Sequence, residues 1–207
     1  MQTGLDHIIL GVNDLDRGID WVEKRTGVRA AFGGVHPGRG TRNALLSLGQ
    51  DCYLEIIAPD PQQPSPTWFA RILGIAEPRL ISWAVHTSDL AAVAQTAGAA
   101  DFPIDGPHDG ARTRPDGKEL SWKLFHLWDN REGMLPFFIE WGRDSVHPSA
   151  DAPAGCMLKN FHLQSPEAAD LASACKALAV PVNVEPGPQP LLLARIASPK
   201  GDLELTS

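Results

Sequence analysis

Apolar positions along this chain alternate between two rhythms. Residues 5–12 are almost continuously apolar around one imidazole, His7, and so read as a buried strand. Asn13-Asp14 stops that run with side chains that can cap a helix. Leu15, Ile19, Val22 and Thr26 then recur at helical spacing up to Gly27, a natural C-cap. Val28–Phe32 is short and strand-like, the glycine-rich stretch 33–40 reads as irregular, and 42–48 and 52–58 read as strands joined by Gly49-Gln50-Asp51. The order is strand, helix, strand, strand, strand.

That order recurs twice. Pro59–Pro66 breaks the pattern, Trp68, Phe69, Ile72 and Leu73 suit a short connecting helix, and a second unit then runs from strand 80–86 through an Ala-rich helix 89–99 to strands near 102, 120–128 and 135–141. A third has strand 157–164, helix 166–179 and strands 181–184, 191–197 and 202–205. The chain therefore reads as an α+β protein of repeated βαβββ units, over 1–58, 79–142 and 155–207, each leaving an apolar face for a neighbour to cover. Each fourth strand carries a carboxylate in an apolar setting: Glu55, Glu140 and Glu204.

Composition narrows the partners. The 207 residues, 43% hydrophobic and 21% charged, can bury a substantial core. A net charge of -7 argues against nucleic acid and against an anionic membrane surface, which leaves a small molecule as the expected ligand. Cys52, Cys156 and Cys175 are odd in number without CxxC spacing and read as reduced. With no signal-peptide pattern and no apolar run of spanning length, the expectation is a cytoplasmic protein.

Leu5-Asp6-His7-Ile8-Ile9-Leu10-Gly11-Val12-Asn13-Asp14-Leu15, the Tyr53-Leu54-Glu55 strand, His36–Asn43, Thr113–Gly117 and Leu135–Gly142 together resemble the vicinal oxygen chelate superfamily, which holds glyoxalases, bleomycin-resistance proteins and extradiol dioxygenases, and within it the glyoxalase-like domain branch. The resemblance implies two βαβββ units paired into a curled sheet, with a cup that holds a divalent metal. It places the ligands at His7, Glu55 and Glu140, with Glu55 or Glu140 as the base, and implies a lyase, isomerase or dioxygenase acting on a small oxygenated substrate. Imidazole and carboxylates suit Zn, Mn, Fe, Ni or Co. The second unit departs from the pattern, because Ser82 falls where His7 does. His86 lies four residues on, about 13 Å along a strand, and could ligate only through a bulge or a slipped alignment.

The residues themselves leave alternatives open. His7 and His162 could be hydrogen-bonded core histidines, whereas Glu55 and Glu140, flanked by apolar residues, need a metal, a base partner or a wet cavity. His36, Arg39, Thr41 and Asn43 in one loop and Arg114 in another could bind substrate, or form ordinary turns. His108, His126 and His147 read as surface or structural. A metal-free protein that sequesters a small molecule, as bleomycin-resistance proteins do, is the alternative to an enzyme, and an assembly module without a cavity is a third. The third unit would either cap the sheet or complete a second cup across a homodimer.

Overall fold

A computed structural model describes residues 2–64, 74–113, 117 and 119–207. The first unit comprises β1 (Thr3–Gly11), α1 (Leu15–Thr26), β2 (Ala31–His36), β3 (Thr41–Ser47) and β4 (Tyr53–Pro59). The second comprises β5 (Arg79–Thr87), α2 (Leu90–Ala99), β6 (Ile104–Thr113), β7 (Glu119–Leu127) and β8 (Phe137–Trp141). After a short helix, α3 (Pro148–Asp151), come β9 (Met157–Ser165), α4 (Ala168–Ala177), β10 (Asn183–Pro186), β11 (Leu191–Ser198) and β12 (Gly201–Thr206). The connecting helix expected over 68–73 lies outside the described residues.

Local chemistry sets the element ends. Asp14 accepts a hydrogen bond from the Arg17 backbone N–H, and Gly27 closes α1 at φ 79, a left-handed conformation open to glycine at little cost. Leu15, Gly18, Ile19, Val22 and Thr26 form the buried face of α1. Each large apolar side chain buried there contributes about 1.5–3 kcal/mol.

The stretch expected to be irregular is shorter than its composition suggests. β2 continues through both glycines to His36, which pairs with Thr41, so the turn occupies only the residues between them. A bulge between Phe32 and Gly34 accommodates the pair. A Cβ at 33 would lie 2.4 Å from Asn43 Oδ1, so any larger residue there would displace the Asn43 side chain.

The first two units join in one curled mixed sheet of eight strands, ordered β2-β3-β4-β1-β5-β8-β7-β6. β1 and β5 meet antiparallel at its centre, while each pairs in parallel with the last strand of its own unit. The edge strands β2 and β6 approach each other across the open side and narrow the cup. The third segment keeps the βαβββ element order but not the pairing: its four strands run β10-β9-β11-β12, with β10 parallel to β9. It is not a third copy of the same sheet.

This second sheet covers the outer face of the first. Trp83 of β5 packs against Phe161 of β9, with ring centroids 5.1 Å apart, and Leu163, Leu192, Ile196, Leu203 and Leu205 share one buried cluster with Ile8, Leu10 and α1. Of the two arrangements considered for it, capping is the one found within the chain. Cys52, Cys156 and Cys175 are buried free thiols. No described helix is long and apolar enough to cross a membrane.

Candidate active site

A cavity of about 1390 Å³ opens on the concave side of the eight-stranded sheet and extends to the third segment at Ser165, Glu167 and Gln189. Strand alternation determines what faces it. On β4, Tyr53, Glu55 and Ile57 line the cavity, while Leu54 and Ile56 enter the core. On β1, His7 and Ile9 line it, with Ile8 and Leu10 in the core.

A bulge modifies this alternation where it matters. In the β1–β5 ladder Leu5 pairs with Val85 and His7 with Ala84, leaving Asp6 without a register partner, so both Asp6 and His7 turn toward the same side. Asp6 is fully buried, and its Oδ1 lies 2.6 Å from His7 Nδ1. Its Oδ2 accepts from Trp141 Nε1 at 2.9 Å, faces His147 Nε2 at 3.1 Å and lies 3.5 Å from His86 Nδ1. Burial alone would raise this carboxyl, but the hydrogen bonds from His147, His7 and His86 outweigh it and hold Asp6 well below the ordinary carboxylate range. Asp6 is therefore an anion that only accepts, and His7 Nδ1 must be the donor.

With Nδ1 committed, His7 Nε2 points toward Glu55, 3.5 Å from Oε2. Glu55 Oε1 accepts from Asn43 Nδ2 at 2.6 Å and stands 3.7 Å from His36 Nε2. Asn43 Nδ2 is also 3.3 Å from that nitrogen and can only donate, so Nε2 of His36 is the acceptor and Nδ1 donates to Thr41 Oγ1 at 2.7 Å. Burial depresses the pKa of His36, opposed by Glu55 and assisted by Arg112 and Arg39, which favours the neutral ring. Tyr53 stacks on His7 at 4.5 Å; burial, with the charges of Asp6 and Glu55, pushes its phenol well above the ordinary value and keeps it protonated.

Of the residues singled out from sequence, His7, His36, Arg39, Thr41, Asn43 and Glu55 share this cavity. Glu140 does not. Phe137, Ile139 and Trp141 are the residues of β8 that face the cavity, whereas Glu140 projects from the opposite face, where its Oε2 accepts from the Leu90 backbone N–H at the start of α2, at 2.8 Å. In the parallel ladders Glu55 stands opposite Ile9, while the residue opposite Ala84, the counterpart of Ile9 in the second unit, is Phe137; Glu140 lies an odd number of residues beyond it, which puts its side chain on the other face. His86 also stays out of the cavity and serves Asp6. Ser82 lines the cavity as the counterpart of His7. Arg114 lies outside the described residues.

Sequence reasoning gave Asp6 no role, read His126 and His147 as surface or structural, and left the segment that begins at Arg112 as either a turn or a cup wall. Asp6 and His147 form the anchor behind His7, and His126 and Arg112 line the cavity. The signal for Asp6 was a carboxylate beside a histidine inside an apolar strand.

The donors suit a divalent ion in kind. Among the described residues no three His, Cys, Asp or Glu side chains are gathered as they would be around a bound ion; Glu55 faces His7 and His36 in separate pairs. Yet two imidazole Nε2 atoms and a carboxylate are appropriate ligand types, and both rings are oriented through Nδ1, by Asp6 and Thr41, as ligating imidazoles are.

A cup formed by two βαβββ units, with histidines and a glutamate on its floor, defines a vicinal oxygen chelate protein. The model of the family described as "Glyoxalase-like domain" matches residues 5–179, and the chain belongs to that family. Comparison with curated protein sequences finds no match. Among solved structures, a hypothetical protein from Staphylococcus aureus is similar over 99% of this chain and 85% of its own, with a TM-score of 0.67 and 17% identity. Methylmalonyl-CoA epimerase from Mycobacterium tuberculosis aligns with 67% of this chain and 86% of its own, at a TM-score of 0.47 and 22% identity. A Streptomyces coelicolor methylmalonyl-CoA epimerase in complex with 2-nitronate-propionyl-CoA aligns with 69% of this chain and 96% of its own, at a TM-score of 0.48 and 17% identity.

Proposed function

We propose that this protein is a divalent-metal-dependent isomerase or lyase that moves a proton next to a carbonyl group of a small oxygenated substrate. The observation that carries the reading is that each Glu55 oxygen faces an imidazole Nε2 on the floor of a large cavity, Oε2 that of His7 at 3.5 Å and Oε1 that of His36 at 3.7 Å. His7, His36 and Glu55 would hold the ion, which supplies Lewis-acid stabilisation of charge developing on the substrate oxygen.

The protein's own groups have separable tasks. Asn43 fixes Glu55 through Oε1, leaving Oε2 to accept or return a proton. Asp6 holds the His7 ring in one orientation and tautomer. Ile9, Ile57 and Phe137 exclude water beside the carboxylate, which strengthens every electrostatic interaction there.

Metal content and proton exchange test this reading together. After loading with Zn, Mn, Fe, Ni or Co and gel filtration, the wild-type protein is expected to retain about one ion per chain and His7→Ala less than a tenth of that. Stoichiometric retention lost in the variant, with catalysed exchange of substrate C–H for deuterium, supports it. No retained ion and no exchange would remove it. The pairwise arrangement of Glu55 with each imidazole favours the second reading, a metal-free sequestering protein. In that case Glu55→Gln changes ligand affinity and there is no turnover to lose.

A further inference from the structure

Tyr53, the one tyrosine of the chain, lines the cavity two residues before Glu55 on β4, so the two side chains leave the same face about 7 Å apart. In the parallel ladder it stands opposite His7, and its ring stacks on that imidazole at 4.5 Å with 22° between the planes. The ring of His147 meets it edge-on at 5.6 Å. Both imidazoles are tied to Asp6, so the phenol ring is held by neighbours that are themselves fixed.

Buried phenols ordinarily find a hydrogen-bond partner. Tyr53 is only 4% exposed, yet its hydroxyl has no partner among the described residues. Nor is that oxygen sealed, since the enclosed polar side-chain atoms left without a partner belong to Trp21, Arg42 and Asn43. It is therefore open to the cavity that Tyr53 lines. Neighbouring donors are committed: His7 Nδ1 and Trp141 Nε1 to Asp6, His36 Nδ1 to Thr41, and Asn43 Nδ2 to Glu55. Six further carboxylates and Arg39, Arg79 and Arg131 border the cavity at exposed or half-buried positions, where water screens them. On the floor beside Glu55, the phenol is a neutral donor with its proton to offer.

We propose that Tyr53 is a catalytic residue, whose O–H donates a hydrogen bond to the substrate oxygen on which negative charge develops. This rests on the proton-transfer reading above for the fate of the C–H bond. That bond breaks, its proton passes to Glu55 Oε2, and its electron pair delocalises onto the adjacent carbonyl oxygen as an enolate. The Tyr53 proton stays on the phenol throughout. Return of a proton to carbon re-forms the bond and regenerates the carboxylate of Glu55, with no oxidant or reductant. A fixed donor aimed at developing charge in a water-poor site stabilises the transition state more than the ground state.

Hydroxyacetone serves as the carbon acid, with deuterium incorporation beside its ketone followed by NMR on ion-loaded protein. Acetohydroxamate, which has the shape of the enediolate formed when hydroxyacetone loses that proton, serves as the mimic, with affinity measured by titration calorimetry. Tyr53→Phe keeps the ring on His7 and removes only the hydroxyl. It is expected to slow the kcat for exchange about a hundredfold, the scale of one such donor, with KM little changed. It should weaken acetohydroxamate at least about tenfold and leave ion retention within about twofold of wild type, which a merely structural role would not do. Because the chain has a single tyrosine, supplying 3-fluorotyrosine gives one ¹⁹F resonance, expected to move on saturation with acetohydroxamate. That measurement needs no variant and reports on the hydroxyl even if Tyr53→Phe fails to fold. The proposal is overturned if acetohydroxamate fails to bind wild type at millimolar concentration, leaves the resonance unmoved, or binds Tyr53→Phe within threefold of wild type. Tyr53-dependent binding of the mimic without exchange above that of Glu55→Gln would sink the proton-transfer reading and with it the catalytic role. Exchange that Tyr53→Phe leaves within threefold would retire Tyr53 and keep that reading.

Discussion

Replacing Asp6 with asparagine is the most informative single perturbation of this fold, because one buried carboxylate receives His7, Trp141, His147 and His86. The asparagine is nearly isosteric but presents an N–H₂ group where an oxygen stood, so at least one ring N–H then faces another donor. Removing the charge from a buried, hydrogen-bonded set costs about 3–5 kcal/mol. For a chain of this size each kcal/mol corresponds to about 2–4 °C, so the melting temperature should fall by roughly 6–20 °C. Urea unfolding of chelator-treated protein at pH 7 measures the loss directly. The sign of the pH dependence follows from the depressed carboxyl of Asp6: as pH falls through the ordinary carboxylate range the unfolded chain takes up the proton first, so the contribution is whole above about pH 4 and is lost below it. The difference between wild type and Asp6→Asn should therefore shrink in acid. A loss under about 1 kcal/mol at pH 7, below the range for breaking such a set, would show that Asp6 is not the anchor described.

Two further outcomes follow from neighbouring groups. Glu140→Ala removes an acceptor from the first turn of α2 and should lower stability by about 1 kcal/mol while leaving metal retention within twofold of wild type, since Glu140 faces away from the cavity. In an NMR titration His86 should titrate above the ordinary value of 6.5, held up by its hydrogen bond to Asp6, and Asp6→Asn should bring it down. His86 favours folding fully below pH 6.5, and this is lost as pH rises through its folded value. His126 should titrate below 6.5 because burial disfavours its charge.

Much of this architecture was legible from periodicity. The alternation of apolar runs with the 15–26 helix yielded the paired units, and Glu55 stood out as a carboxylate that an apolar strand could not leave unpartnered. Glu140 looked equivalent because Phe137, Phe138, Ile139 and Trp141 are apolar on both faces of their strand. One face meets the core and the other an aromatic cavity wall, so the alternation that would have revealed its side is missing. The bulge at Asp6 depends on the antiparallel register with β5, a pairing of residues about 80 positions apart along the chain. The placement of Arg112 was illegible for a similar reason: its position next to Gly33 exists only when β2 and β6 close the cup. The pairing order of the third segment also escaped, since element order does not determine which strands become neighbours.

The cover that this segment provides also bears on how the protein is made. Ile8, Leu10 and Trp83 belong to an interior that is completed by Leu203 and Leu205, and the Lys24 carbonyl accepts from Lys200 Nζ at 3.1 Å. Partners so distant in the chain make loop closure costly and folding slow. During vectorial synthesis that face is covered in stages, by α1, then by β9 and β11, and later by Leu203 and Leu205 of β12, so part of it stays exposed to aggregation until the third segment has emerged.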